Sequence, residues 1–157
     1  MSAEEYFSTG CMLLDLDASS KDTVIEKMVE AAATAGKIKR SKNAEVIEKV
    51  MAREEVGSTG IGRGVAVPHA KSSSVKELVG VFARTKRPLD FSALDGQPVD
   101  LVFLLLAPAP SAGDHLGVLA LVARIARDEL YCRFLRQAKT PQDALEVLKE
   151  AMEGMGG

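Results

Sequence analysis

The 157-residue sequence has no tryptophan, two cysteines and two histidines. Cys11 and Cys132 lie far apart in the sequence, without the spacing of a CxxC pair or of a zinc site. We interpret both as buried thiols in a reducing compartment and expect no chemistry from either. Few side chains therefore remain as candidates for reactive chemistry, and both histidines are among them.

The sequence also lacks a strong charge of either sign. Its net charge is −2 and its pI about 5.8, and the basic residues are interspersed with acids, which argues against nucleic acid as a partner. The longest strongly apolar run, Val99 to Ala109, contains Asp100 and Pro108 and is too short to span a bilayer. The first ten residues carry acids where a secretory signal needs basic residues. We expect a cytoplasmic protein without membrane insertion.

The composition is that of a folded globular chain. Hydrophobic residues make up 46% and charged residues 27% of the sequence. At this length we expect one domain over residues 1–157, with flexible ends at 1–10 and 154–157.

Hydrophobic periodicity predicts four strands and five helices that do not alternate regularly. We expect Ser20, Ser41, Asp114 and Thr140 to cap helices and residues 84–98 to form a loop. The predicted order is β-α-α-β-β-β-α-α-α, which favours an α/β fold, a three-layer α/β/α sandwich with a central mixed sheet. The predicted strands lie near residues 11–16, 65–67, 78–83 and 99–106, and the predicted helices near 21–35, 41–53, 114–126, 129–137 and 141–152.

One stretch, Gly57 to Lys71 (GSTGIGRGVAVPHAK), attracts most attention. Its glycines suggest a phosphate-binding loop, but it lacks the Gly-Lys-Ser/Thr ending of a Walker A motif and the strand-to-helix setting of a dinucleotide fingerprint. Nucleotide binding is therefore not expected. We interpret the glycines as turns and a flat surface beside His69.

Both histidines lie at positions where a functional side chain is plausible. A histidine taken at random, however, most often has only a structural role, with its hydrogen bonds made to neighbouring groups or to water. His69 follows Pro68 just past a predicted buried strand, which suggests an imidazole presented in a fixed direction at a sheet end. His115 stands at the first position of a predicted helix, where free backbone amides favour an anion such as a phosphoryl group.

These residues predict a phosphoryl-transfer site without metal or cofactor. Neutral imidazole is a good nucleophile, and a second imidazole and an arginine can donate to phosphoryl oxygens. We nominate His69 as nucleophile, with His115 and Arg53 as donors, although Arg53 could equally be a solvated helix-end cation. A metal site is weakly supported, because no ligand set has recognisable spacing. A serine hydrolase is weaker still, since no G-x-S-x-G elbow occurs.

Three motifs together resemble a known family. They are RE-x-x-GSTGIG-x-G-V-A-V-PHAK at residues 53–71, DGQPVDLVFLLLAP at 95–108 and DHLGVLALVARI at 114–125. The sequence resembles the EIIA component, fructose/mannitol type, of the bacterial phosphoenolpyruvate-dependent sugar phosphotransferase system (PTS), and most of all its nitrogen-regulatory branch. The resemblance covers nearly the whole chain and implies the same α/β/α fold.

The resemblance also implies site roles and partners. His69 would accept a phosphoryl group from the histidine-containing phosphocarrier protein, and His115 and Arg53 would hold the phosphoryl oxygens. The group would serve regulation or, in a sugar-uptake EIIA, pass to a cysteine of an EIIB domain; a non-catalytic binding module is a distant alternative. As a lone EIIA domain, the chain would act in trans.

Two details concern how partners would dock. Ala70 stands where glycine is common in the family. Its added methyl group puts in question how tightly partner proteins dock, more than it does the activity. An apolar docking surface around His69 has three candidate residues, Ile61, Val65 and Val67. The alternative that all three belong to the hydrophobic core is equally open.

Overall fold

The strongest apolar run of the sequence forms the middle of the sheet. The structure, a computed structural model, describes residues 3–109 and 113–156, with the side chains of 3–109 and 117–155. Within these residues the helices are α1 Ala3–Tyr6, α2 Lys21–Thr34, α3 Asn43–Val56, α4 Gly113–Ala126, α5 Glu129–Gln137 and α6 Pro141–Gly156. The strands are β1 Met12–Leu16, β2 Gly60–Gly62, β3 Val65–Ala66, β4 His69–Ser72, β5 Val79–Leu89 and β6 Val99–Pro108.

The sheet is mixed, as predicted. Its order is β1-β5-β6-β3-β2, and β4 also pairs with β6. Strand β6 runs antiparallel to β5 and parallel to β3 and β4, while β1 is parallel to β5. The central position of β6 explains why its sequence is apolar almost without interruption, because both of its faces are covered.

Alternate side chains of β6 enter two separate cores. Leu101, Phe103 and Leu105 pack with α4, α5 and α6 on one face of the sheet. Val102, Leu104 and Leu106 pack with α2 and α3 on the other. This is the period-2 alternation of a strand buried on both sides, and it confirms the three-layer α/β/α architecture.

Both ends of the chain have more regular structure than the sequence suggested. Within residues 3–10, in the predicted flexible segment, α1 is helical and the ring of Phe7 is 1% exposed. A Cβ built on Gly80 would lie 2.5 Å from that ring, so only glycine lets the ring seat on β5. At the other end α6 continues to Gly156, beyond the predicted end at 152.

Two local predictions are also wrong. Strand β5 extends to Leu89 into the predicted loop, and it tolerates Pro88 because its pairing with β6 is interrupted between Arg84 and Leu89. Ser41 does not cap α3, since a 3-10 turn at Arg40–Lys42 comes first and the helix begins at Asn43.

Other local predictions are confirmed. Ser20 caps α2 by accepting the Thr23 amide at 3.2 Å, and Thr140 caps α6 by accepting the Asp143 amide at 3.1 Å. Helix α5 has the predicted bounds. Among the residues that the structure describes, no helix is long and apolar enough to cross a membrane.

Candidate functional site

His69 is the first residue of a strand, where the sequence predicted a position just past one. Strand β4 pairs in parallel with β6, and His69 lies beside Leu105 in that register. The side chain is half-buried. His69 is therefore part of the sheet itself, beside its central strand, which gives the imidazole the fixed direction that Pro68 suggested.

The tautomer of His69 follows from its hydrogen bond. Its Nδ1 lies 2.8 Å from the carbonyl oxygen of Val67. A carbonyl oxygen only accepts, so Nδ1 must carry the proton and donate it. In the neutral ring Nε2 then holds the free lone pair, which makes Nε2 the nucleophilic nitrogen.

The two residues before His69 are held by backbone hydrogen bonds on both sides. The Val67 amide donates to the Thr59 carbonyl at 3.0 Å. The Pro68 carbonyl accepts from the Leu105 amide at 3.0 Å. These bonds fix the Val67–Pro68 peptide, whose carbonyl oxygen accepts the hydrogen bond from Nδ1 of His69.

Arg53 lies on the helix that covers this strand. Helix α3 packs against β4, and Arg53 is half-buried near its end. Its Nη1 donates to the Gly57 carbonyl at 2.8 Å, and no hydrogen bond or ion pair links it to His69 among the described side chains. A guanidinium has five N–H donors, so Arg53 is tied to the start of the glycine stretch and still has donors for an anion.

His115 is placed only as backbone. It is the third residue of α4, where the sequence predicted the first, and the predicted cap Asp114 is the second. The side chains of both residues lie outside the described part of the structure. Helix α4 follows β6, the strand that pairs with β4, so the topology brings its start to the end of the sheet toward which β4 runs.

The glycine stretch forms a hairpin, β2 and β3, and leads into a third short strand, β4. Strands β2 and β3 pair antiparallel across a two-residue turn at Arg63-Gly64, whose φ angles of 58° and 83° are those of a type I′ hairpin turn. The Asp95 carboxylate accepts the Arg63 amide at 2.9 Å and the Gln97 amide at 3.0 Å, and these bonds lower the pKa of Asp95. The Asp95 carboxylate thus stabilises Arg63 in a positive-φ conformation that residues other than glycine rarely adopt.

Two of the three predicted docking residues are core residues. Val65 is fully buried and Val67 is 4% exposed, while Ile61 is partly buried against the same core. The exposed large apolar side chains near the glycine stretch are instead Val56 and Leu94, at 84% and 86% exposure. The Leu94 amide donates to the Gly60 carbonyl at 3.3 Å, so Leu94 borders the stretch directly.

Sequence reasoning missed Glu54 and Thr59. Glu54 lies just past the predicted end of its helix at residue 53, yet it is buried and shares one face of α3 with buried Val46 and Val50. The spacing i, i+4, i+8 could have revealed it, because an acid on an apolar helix face needs a partner. The side chains that the structure describes include no group of three or more His, Cys, Asp or Glu that could hold a metal ion.

Comparison with known proteins assigns the family. The family model for the phosphoenolpyruvate-dependent sugar phosphotransferase system, EIIA 2, matches residues 5–151. The chain therefore belongs to this family of PTS phosphotransfer proteins. The family resemblance inferred from the sequence motifs is confirmed.

Several relatives carry nitrogen regulatory names. The nitrogen regulatory protein of Bradyrhizobium diazoefficiens is 43% identical over 130 residues, covering 83% of this chain and 82% of the relative. The crystal structure of nitrogen regulatory protein IIA-Ntr from Neisseria meningitidis superposes with a TM-score of 0.83 at 33% identity, covering 92% and 97% of the two chains. The resemblance to the nitrogen-regulatory branch is thus confirmed.

Sugar-specific relatives also match. The fructose-specific EIIA component of Haloferax volcanii is 32% identical over 140 residues, 89% of this chain and 90% of the relative. The Escherichia coli mannitol enzyme IIA, solved in complex with phosphorylated enzyme IIB, has the same fold with a TM-score of 0.75 at 20% identity, covering 90% and 96%.

Proposed function

We propose that His69 accepts a phosphoryl group on Nε2 from the phosphohistidine of the histidine-containing phosphocarrier protein. The observation that carries this proposal is the 2.8 Å contact of Nδ1 with the Val67 carbonyl, which leaves the lone pair on Nε2. Membership of the EIIA family supports the same residue, because the resemblance implies that the histidine of the PH motif, His69 in this chain, accepts the phosphoryl group.

The transfer step needs no general base. The Nε2 lone pair forms the new N–P bond while the N–P bond of the donor breaks, and its electron pair stays on the donor nitrogen. Since Nε2 carries no proton, none has to be removed. The His69 ring gains positive charge as the bond forms, and the Val67 carbonyl that already accepts from Nδ1 stabilises this charge.

Arg53 supplies charge for the transferred group in this proposal. A guanidinium matches the geometry of phosphoryl oxygens, and its bond to Gly57 fixes the side chain before the donor arrives. His115 is the second donor that the motif predicts, and the start of α4 adds backbone amides that favour an anion.

A regulatory role is favoured over sugar uptake. Relatives at 43% and 33% identity are nitrogen regulatory proteins, whereas the fructose-specific relative is 32% identical. In the regulatory role the phosphoryl group changes the charge of the surface around His69 and so selects partners. In the uptake role it passes to an EIIB cysteine, as the mannitol enzyme IIA and IIB complex suggests for this fold.

The exposed side chains of Val56 and Leu94 are the proposed contacts for the donor. Val56 follows Arg53 by three residues, and Leu94 borders the glycine stretch. Apolar side chains exposed to this degree are typical of a protein-binding surface. We further propose that the protein is cytoplasmic.

The test is reconstitution with phosphoenolpyruvate, the general phosphotransferase enzymes and the donor phosphocarrier. Intact mass should show one acid-labile phosphoryl adduct on the wild type and none on His69→Ala. An adduct that persists in His69→Ala would refute the proposal. Adding fructose- and mannitol-type EIIB domains then separates the roles, since retention of the group supports regulation and rapid loss to EIIB supports uptake.

A further inference from the structure

A buried carboxylate lies next to Arg53 and has no part in the phosphoryl transfer just described. The side chain of Glu54 is 2% exposed. Lys21 donates to it from Nζ at 3.1 Å. The Thr59 amide lies 3.3 and 3.4 Å from its two oxygens, and the Thr59 hydroxyl donates to it as well.

Helix packing alone does not account for this acid. Glu54 continues the face of α3 on which Val46 and Val50 are buried, where an apolar residue would avoid the cost of burying charge. Lys21 is also partly withdrawn from solvent, with its Nζ 5.2 Å from the centre of the Phe91 ring. The acid and its three donors form a fully paired cluster at the point where α3 meets the glycine stretch.

A continuous series of hydrogen bonds leads from this cluster to the reactive imidazole. Glu54 holds Thr59 by its amide and its hydroxyl. The Thr59 carbonyl accepts the Val67 amide at 3.0 Å, and the Val67 carbonyl accepts Nδ1 of His69 at 2.8 Å. Thr59 is 5% exposed and Val67 4%, so water does not compete freely for either link.

We propose that Glu54 is a positioning residue for His69, acting through Thr59 and the Val67 peptide. This inference rests on the proposed function, in which Nε2 attacks phosphorus. An imidazole in water prefers its proton on Nε2, which would block that nitrogen. By holding the Val67 carbonyl in place, Glu54 keeps the proton on Nδ1 and the lone pair directed outward.

The first variant is Glu54→Gln, which keeps the shape of the side chain but removes its charge. A glutamine turns an amide N–H₂ toward either Lys21 or Thr59, so one of the donors loses its acceptor. We expect nitrogen-15 NMR of His69 to show a larger fraction of the Nε2–H form. The rate of phosphorylation should fall on the order of tenfold. Glu55→Gln, the exposed neighbour on the same helix, is the matched control and should change neither quantity.

A second pair of variants separates positioning from folding. Thr59→Val removes the hydroxyl donor and should shift the tautomer in the same direction, while Thr59→Ser keeps the hydroxyl and should restore it. Val29→Ala, a core change on α2, controls for lost stability and should leave the tautomer unchanged. An unchanged tautomer in Thr59→Val, or an equal shift in Val29→Ala, would overturn the inference even if Glu54→Gln failed to fold.

The NMR measurement distinguishes this inference from the proposed function. The tautomer of His69 is read on the unphosphorylated protein and needs no phosphoryl donor. If the wild type shows the Nδ1–H form and Glu54→Gln shifts it toward Nε2–H, but neither protein accepts a phosphoryl group, the proposed function fails and the positioning role of Glu54 stands. If phosphorylation occurs and Glu54→Gln leaves both tautomer and rate unchanged, only the positioning role fails.

Discussion

Two glycines of the GSTGIG segment have different physical reasons for being glycine, and alanine substitutions should separate them. Gly57 has an extended backbone with φ of 173°, and a Cβ added there meets nothing within 4 Å. A Cβ added at Gly60 lies 2.7 Å from the Ala93 Cβ and 2.9 Å from its Cα. The first substitution fills open space, whereas the second pushes against a neighbouring backbone.

The expected effects on the free energy of unfolding have opposite signs. Gly57→Ala should stabilise by about 0.4–1 kcal/mol, because alanine reduces the freedom of the unfolded chain without strain in the folded one. Gly60→Ala should destabilise by about 1–3 kcal/mol, since backbone atoms cannot move aside as a flexible side chain can. The two variants should therefore differ by about 1.5–4 kcal/mol.

Equilibrium unfolding in urea measures this difference directly. With a slope of about 2 kcal/mol per molar urea, the midpoints of the two variants should lie about 0.7–2 M apart, with the wild type between them. Equal midpoints, or a Gly57→Ala variant less stable than Gly60→Ala, would refute this explanation of the glycine stretch. The initial phosphorylation rate should also fall more in Gly60→Ala, because Gly60 adjoins Thr59 in the series of bonds leading to His69.

Three further predictions test other parts of the molecule. Arg53→Ala should slow phosphorylation about 100- to 1000-fold by removing donors to the phosphoryl oxygens, and quenched-flow assays should show that Arg53→Lys restores only part of the rate. Phe7→Ala should cost about 3–5 kcal/mol in guanidinium unfolding, whereas a loss below about 0.5 kcal/mol would mean that the segment that carries α1 and Phe7 does not dock on Gly80. Burial raises the pKa of the Cys132 thiol to about 11 from an ordinary 9.0. The unfolded thiol ionises first as pH rises, so stability should fall by about 2 kcal/mol between pH 8 and 11, and Cys132→Ala should weaken that fall.

The parts of the fold set by local pattern were predictable from the sequence. Helix α5 has the predicted bounds, because its apolar spacing and the Asp128 cap act within a few residues. Strand β6 was identifiable because a strand covered on both faces must be apolar nearly throughout. The PH motif likewise identified His69 as the candidate nucleophile, since the dipeptide and its glycine-rich approach are contiguous in the sequence.

The parts that depend on distant partners were not predictable. Strand β4 is four residues long and exists because it pairs with β6, more than thirty residues away in sequence. The segment that carries α1 and Phe7 packs on β5 because Gly80 leaves room for the Phe7 ring. No local sequence pattern around Phe7 predicts this contact. Glu54 looked like an ordinary acid at a helix end, and only its contacts with Lys21 and Thr59 show otherwise.

The attachment point of the phosphoryl group tests the central claim most directly. Protein labelled with nitrogen-15 is phosphorylated by the donor phosphocarrier, and NMR then identifies the ring nitrogen that couples to phosphorus-31. We predict coupling to Nε2 of His69 alone, with Nδ1 still protonated and donating to the Val67 carbonyl. Coupling to Nδ1, or a phosphoryl group on any other residue, would contradict the account.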